Sequence, residues 1–178
     1  MIYKFVLISD EVDPFKREIQ IDPDATFLDL LQIIYQSINY SDPEIASFFI
    51  SNEDWDKKEE ISLIEKDNNP EFDSWIMEET PLTEFIEDEQ QRLMLQFDYP
   101  KERFFFIELS EIITGKNINK AKCTLSVGEA PQQYEKEDEE LTTPLKTTKQ
   151  GIDIDESFYG DQDFDSIEIE GFENLEDL

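Results

Sequence analysis

Carboxylates are the reactive side chains this chain holds in quantity: 45 Asp and Glu against 15 Lys and Arg, with no His and a single Cys. Without histidine, the commonest general base and metal ligand is missing, which excludes Ser–His–Asp and Cys–His nucleophilic arrangements. Cys123 alternates with Leu125 and Val127 in a strand-like run, the setting of a buried core thiol rather than a nucleophile or zinc ligand. Five glycines, spread along the chain, write neither a P-loop nor a dinucleotide fingerprint. What remains is carboxylate chemistry, and a metal-dependent hydrolase involving Asp98 is one alternative reading. Among so many acids, pairs at any spacing arise by chance. No catalytic residue, cofactor or dedicated metal is expected, and the chain is read as a non-enzyme.

The densest acidic run is C-terminal, IDIDESFYGDQDFDSIEIEGFENLEDL over residues 152–178. Asp161, Asp163 and Asp165 fall at the first, third and fifth places of an EF-hand loop. Ser166 then stands where the sharp turn needs glycine, and Phe172 where a bidentate glutamate is needed, so no dedicated calcium site results. Bulky apolar residues interleave with the acids, which a merely solubilising tail does not require. That composition suits docking on a partner with a basic, partly apolar groove. Phe158, Tyr159, Phe164 and Phe172 are the expected anchors, with Asp161, Asp163, Asp165, Glu168 and Glu170 as their charged neighbours.

A net charge of −30 repels phosphate backbones and anionic membranes, since nucleic-acid affinity comes largely from Lys and Arg displacing counterions. Direct nucleic-acid binding is therefore not expected, and a mobile-element accessory protein acting on DNA ranks as a further alternative only. A basic protein or protein complex is the expected partner, its attraction weakening with salt. One cysteine fits a reducing compartment. The N-terminal MIYKFVLISDEVD lacks the basic leader of a signal peptide, and no apolar run reaches membrane-spanning length, so a cytoplasmic location is expected.

The elements that must position these groups follow from periodicity. Residues 2–9 predict a buried strand. Residues 15–21 alternate, with Phe15, Arg17, Ile19 and Ile21 on one side, and complete a hairpin. Thr26 and Asp29 have capping-box spacing ahead of an apolar stripe of Phe27, Leu30, Leu31, Ile34 and Ile38, predicting a helix. SFFIS at 47–51 is strand-like, 52–60 predicts a charged surface loop, and 61–64 a short strand. Thr80-Pro81 ahead of Leu82, Phe85 and Ile86 predicts a second, short helix. Residues 92–99 and 103–113 predict an antiparallel hairpin, and 122–128 a last strand. Beyond residue 134 come 16 acids and three lysines in 44 residues, without helical periodicity, the composition of a disordered tail.

In order along the chain stand FKREI (15–19), the capped helix from Thr26, SFFI (47–50), FDY (97–99) and the stretch from Cys123 to GEAP (128–131). This resembles the plasmid pRiA4b ORF-3-like family, bacterial proteins sometimes labelled transposon passenger proteins. The resemblance covers residues 1–131 and implies a compact α+β domain of uncharacterised molecular function. Where many relatives continue with Gly-Asp-Asp-Trp-x-His, this chain keeps Asp98 but has Pro100, Lys101, Glu102, Arg103 and Phe105. It also lacks the second cysteine frequent after the Gly-Ala-Pro segment, so a His- or Cys-dependent site of the family has no counterpart here.

The expected architecture is an α+β domain over residues 1–133, a mixed or antiparallel sheet with two helices and a β-β-α-β, β-grasp-like opening. A disordered acidic tail over 134–178 follows.

Overall fold

A computed structural model describes residues 1–66 and 75–134 of the chain. The residues expected to bind a partner, from Phe158 to Phe172, lie outside the described residues. Eight strands form one sheet: β1 (Ile2–Ser9), β2 (Lys16–Ile21), β3 (Ser47–Ser51), β4 (Lys57–Ser62), β5 (Trp75–Ile76), β6 (Arg92–Asp98), β7 (Arg103–Ile113) and β8 (Lys122–Val127), in the order β5-β4-β3-β6-β7-β1-β2-β8. Neighbours pair antiparallel except β4 and β5, which are parallel.

One helix, α1 (Phe27–Ile38), shares a single core with the sheet. Thr26 Oγ1 accepts from the Asp29 amide while the Asp29 carboxylate accepts from the Thr26 amide, a reciprocal cap worth about 1 kcal/mol. Phe27, Leu30, Leu31, Ile34 and Ile38 are buried in one core cluster with Phe5, Leu7, Ile19, Phe48, Leu95, Phe105 and Ile107. Side chains alternate across a strand, so β7 buries Phe105, Ile107 and Leu109 and turns Phe104, Phe106 and Glu108 to the opposite face. On that face the Lys57 ammonium lies 4.4 Å from the Phe49 ring centre and 4.5 Å from that of Phe104, shielding apolar surface with a charged head.

The two-helix α+β architecture is corrected by this fold, which among the described residues is mostly sheet with one α-helix. The predicted second helix is a single 3-10 turn, Leu82–Glu84. Its backbone is engaged elsewhere: the Leu82 amide donates to Ala25 O at 2.9 Å, and Thr80 Oγ1 donates to Ile76 O instead of capping. The segment serves α1, because the orphan amides of Phe27 and Leu28 donate to Thr80 O and Met77 O. The β-grasp-like opening also fails, since β6 and β7 separate β3 from the β1–β2 hairpin. Lys57–Glu60, predicted as loop, pair in β4 with β3, where four consecutive charged residues hide the strand.

Candidate functional site: a strap held by two arginines

The alternating face of β2 carries an arginine among its apolar residues. Arg17 is buried, with its guanidinium 4.7 Å from the Phe15 ring centre. It donates to Lys16 O at 2.9 Å, Ser37 O at 3.2 Å, Val127 O at 2.8 Å and Gly128 O at 2.9 Å. These four acceptors are all backbone carbonyls, and Ser37 O belongs to the negative end of the α1 dipole.

Arg103, the first residue of β7, holds the other end of the same segment. It pairs with both Glu11 oxygens, at 2.8 and 2.7 Å, and with Asp98 at 3.4 Å. It also donates to Gln132 O at 2.8 Å and Gln133 O at 3.2 Å, and lies 4.7 Å from the Phe97 ring centre. The hydrogen bonds it donates to Glu11 push its pKa up, against the opposing effect of burial, so the guanidinium stays charged. Such planar, bidentate pairing is what arginine supplies and lysine does not.

Between these grips the Tyr40 hydroxyl donates to Pro131 O at 2.6 Å, and the Gln133 amide group exchanges bonds with Ser41. Beneath lies an aromatic stack in which Phe97 and Phe105 rings are 4.6 Å apart and the Tyr40 ring lies tilted against both. Gly128 makes the approach possible. Its φ is +67°, and a Cβ there would stand 1.7 Å from Pro14 O. Residues 127–133 are therefore a strap fastened to the sheet domain immediately before the acidic C-terminal segment begins in sequence.

Asp98 is committed to this scaffold: its side chain is 10% exposed, paired with Arg103, and accepts from the Lys101 amide. No three carboxylates or thiols among the described residues converge to hold a metal. Cys123 is half-buried rather than fully buried and donates to Leu125 O at 3.2 Å. A second polar cluster joins β3, β4 and the end of β6. There buried Ser47 donates to Glu60 at 2.7 Å and meets the Tyr99 hydroxyl, while Lys66 pairs with Glu60. Burial alone would raise the Glu60 carboxyl; Lys66, Ser47 and Tyr99 outweigh it and hold it below the usual value. A carboxylate so stabilised is a poor base for activating Ser47.

Sequence reasoning missed Arg17, Arg103, Glu11 and Gln133. Arg17 had left a sign, a charge within the apolar register of Phe15, Ile19 and Ile21. Arg103 and Glu11 lie 92 positions apart, and no local pattern links them.

Fold and strap define a class of protein: an open-sheet domain, with one helix among the described residues, closed by an arginine-fastened strap after its last strand. The chain belongs to the plasmid pRiA4b ORF-3-like protein family, whose model matches residues 3–145. The match runs past Pro131, where the sequence resemblance ends, into the acidic segment. Phe15, Arg17, Phe97, Asp98 and the GEAP residues that carry that resemblance all meet at the strap. No curated protein matches the chain. Its structure is similar to that of a protein of unknown function, MM3350, from Methanosarcina mazei Go1, with TM-score 0.56 and 18% identity over 70% of this chain and 68% of that one. That likeness concerns the fold. Among the described residues no helix is long and apolar enough to cross a membrane.

Proposed function

We propose that this is a non-enzymatic interaction protein whose acidic–aromatic C-terminal segment docks on a basic macromolecular partner, such as a nucleic-acid-binding protein or machine. The observation that carries the reading is compositional: Phe158, Tyr159, Phe164 and Phe172 interleave with Asp161, Asp163, Asp165, Glu168 and Glu170. Spaced charge speeds encounter with a basic surface, and apolar anchors slow release. The strap supports the same reading. Five side-chain bonds to its carbonyls hold the strap, the stretch just ahead of the segment in sequence, on the domain.

The test is an affinity capture from nuclease-treated lysate with the full chain, eluted by a salt gradient. It runs beside a full-length variant with Phe158, Tyr159, Phe164 and Phe172 changed to Ser. A basic protein retained by the first and lost from the second, released at moderate salt, is the expected result. Equal retention by both would move recognition to the folded domain and end this reading.

A further inference from the structure

Strand β8 stands last in the sheet order, paired with β2 on one side and with no strand among the described residues on the other. An edge of this kind leaves about half of its backbone N–H and C=O groups without a ladder partner. No loop backbone group among the described residues bonds to residues 122–126. Arg17 closes the strand's far end by taking Val127 O.

The charge around this edge is opposite to that of the chain. Residues 112–128 hold three lysines and no acid, the longest acid-free run in the sequence. Lys116, Lys120 and Lys122 are exposed, and none has an ion-pair partner among the described residues. The acid across the ladder, Glu18 opposite Leu125, is paired with Lys16 at 3.6 Å. Exposure also alternates along the strand: Ala121, Cys123 and Leu125 are half-buried, whereas Lys120, Lys122, Thr124 and Ser126 are exposed. Ala121 and Cys123 pack against the core, as does Ile33 of α1. A groove of about 240 Å3 runs between that flank of α1 and residues 119–121, with Gln32, Ile33 and Gln36 on its helix side. Its two carboxylates are committed locally, Asp29 to the Thr26 cap and Asp22 to the Asp24 amide.

Open edge, apolar flank and unpaired cations together specify one kind of occupant. Side chains of an added strand alternate between the two faces of the sheet. Apolar residues at every second place extend the half-buried row of Ala121, Cys123 and Leu125, and the residues between them lie beside Lys120 and Lys122, where Asp or Glu is favoured. The geometry points to β8 as a docking edge for an extended acidic segment of another protein, one that alternates apolar residues with Asp or Glu and adds to the sheet as a further strand. In strand addition main-chain bonds give affinity, and the alternate side chains give specificity. A second copy of this chain is less suited, because lysine on an edge deters self-pairing. The net charge of −30 repels such a segment at a distance. At 0.15 M salt that field is screened within about 8 Å, and the lysines beside the edge decide the encounter. The site selects a charge opposite to that of the basic partner proposed above and does not rest on that reading.

The probe is a fluorescein-labelled, end-blocked peptide, Val-Glu-Val-Glu-Val-Glu, titrated with the full chain at roughly 0.15 M salt and followed by anisotropy. Expected is saturable binding that weakens with added salt and slows amide hydrogen exchange at residues 122–126. The block peptide Val-Val-Val-Glu-Glu-Glu has the same composition without the alternation and should bind about tenfold more weakly. Lys120→Glu/Lys122→Glu should weaken the alternating probe by roughly tenfold and make its Val-Lys counterpart the tighter ligand. Lys57→Gln/Lys58→Gln, a pair of exposed lysines on β4, should change nothing. Absence of saturable binding, equal binding of the alternating and block peptides, no added protection at 122–126, or an unaltered Kd in the Lys120/Lys122 variant would each overturn the proposal. So would two other results. Self-association of the free chain that is lost in that variant would assign the edge to a second copy. Probe binding that appears only in Ile167→Ser/Ile169→Ser would assign it to this chain's own alternating residues 166–170.

Discussion

Arg17 and Arg103 grip one strap from its two ends, Arg17 through the carbonyls of Val127 and Gly128 and Arg103 through those of Gln132 and Gln133. The two grips differ in kind. Arg17 meets carbonyl oxygens, including one from the last turn of α1, whereas Arg103 is neutralised by the carboxylates of Glu11 and Asp98. Removing either guanidinium should free the strap at one end, but only the loss of Arg103 strands buried negative charge.

Arg103→Met should therefore destabilise the domain by roughly 3 kcal/mol, the low end for breaking a buried pair, because Glu11 is part-exposed and can be rehydrated. Adding Glu11→Gln to that variant should cost much less than Glu11→Gln alone, since the partner is already gone. Urea midpoints of the single and double variants check this; simple additivity would mean the contact contributes little.

Two glycines with positive φ should respond very differently to alanine. Gly128→Ala places a Cβ 1.7 Å from Pro14 O at φ +67°, so strand β8 and the strap must shift, at a cost of more than about 2 kcal/mol. Gly115, at φ +74°, has no atom within 4 Å of the same position, leaving only the backbone penalty of about 1 kcal/mol. Thermal melts of the two variants give the comparison, and equal losses would remove the close approach as the reason for Gly128.

Tyr35 is buried with its hydroxyl unpartnered, and burial first, then Tyr40 and Tyr134, hold its phenol well above the usual value. With the folded-state pKa raised, the neutral phenol's contribution is complete below about pH 10 and is lost as pH climbs from there toward the folded value. Tyr35→Phe should be neutral to slightly stabilising at pH 7 and should pull ahead of the parent above pH 10. Tyr40→Phe, which gives up the bond to Pro131 O, should instead cost about 1 kcal/mol at pH 7. Urea midpoints at pH 7 and 10.5 settle both signs.

Much of the chain's local order is legible without coordinates. The Thr26–Asp29 capping box and the stripe that follows it yield α1, and the alternation from Phe15 to Ile21 yields β2 with its buried face. These signals work because the groups that satisfy each other lie within four residues. The 80–86 stretch shows where that logic stops. Thr80-Pro81 looks like a helix start, yet its carbonyls and amides close on the first turn of α1, more than fifty positions earlier. A short helix has too few internal bonds to compete with such a partner.

By itself the sequence determined the chemistry excluded by the lack of histidine, the acidic field of the whole chain, the hairpins and the one capped helix, because each depends on composition or on near neighbours. Tertiary structure alone decided the order of the strands, the two arginine grips, the commitment of Asp98 to a salt bridge, and the placing of β8 at an open edge of the sheet. Those depend on groups that come together only when strands distant in sequence are paired, and buried charge then takes whichever partner the pairing brings within reach.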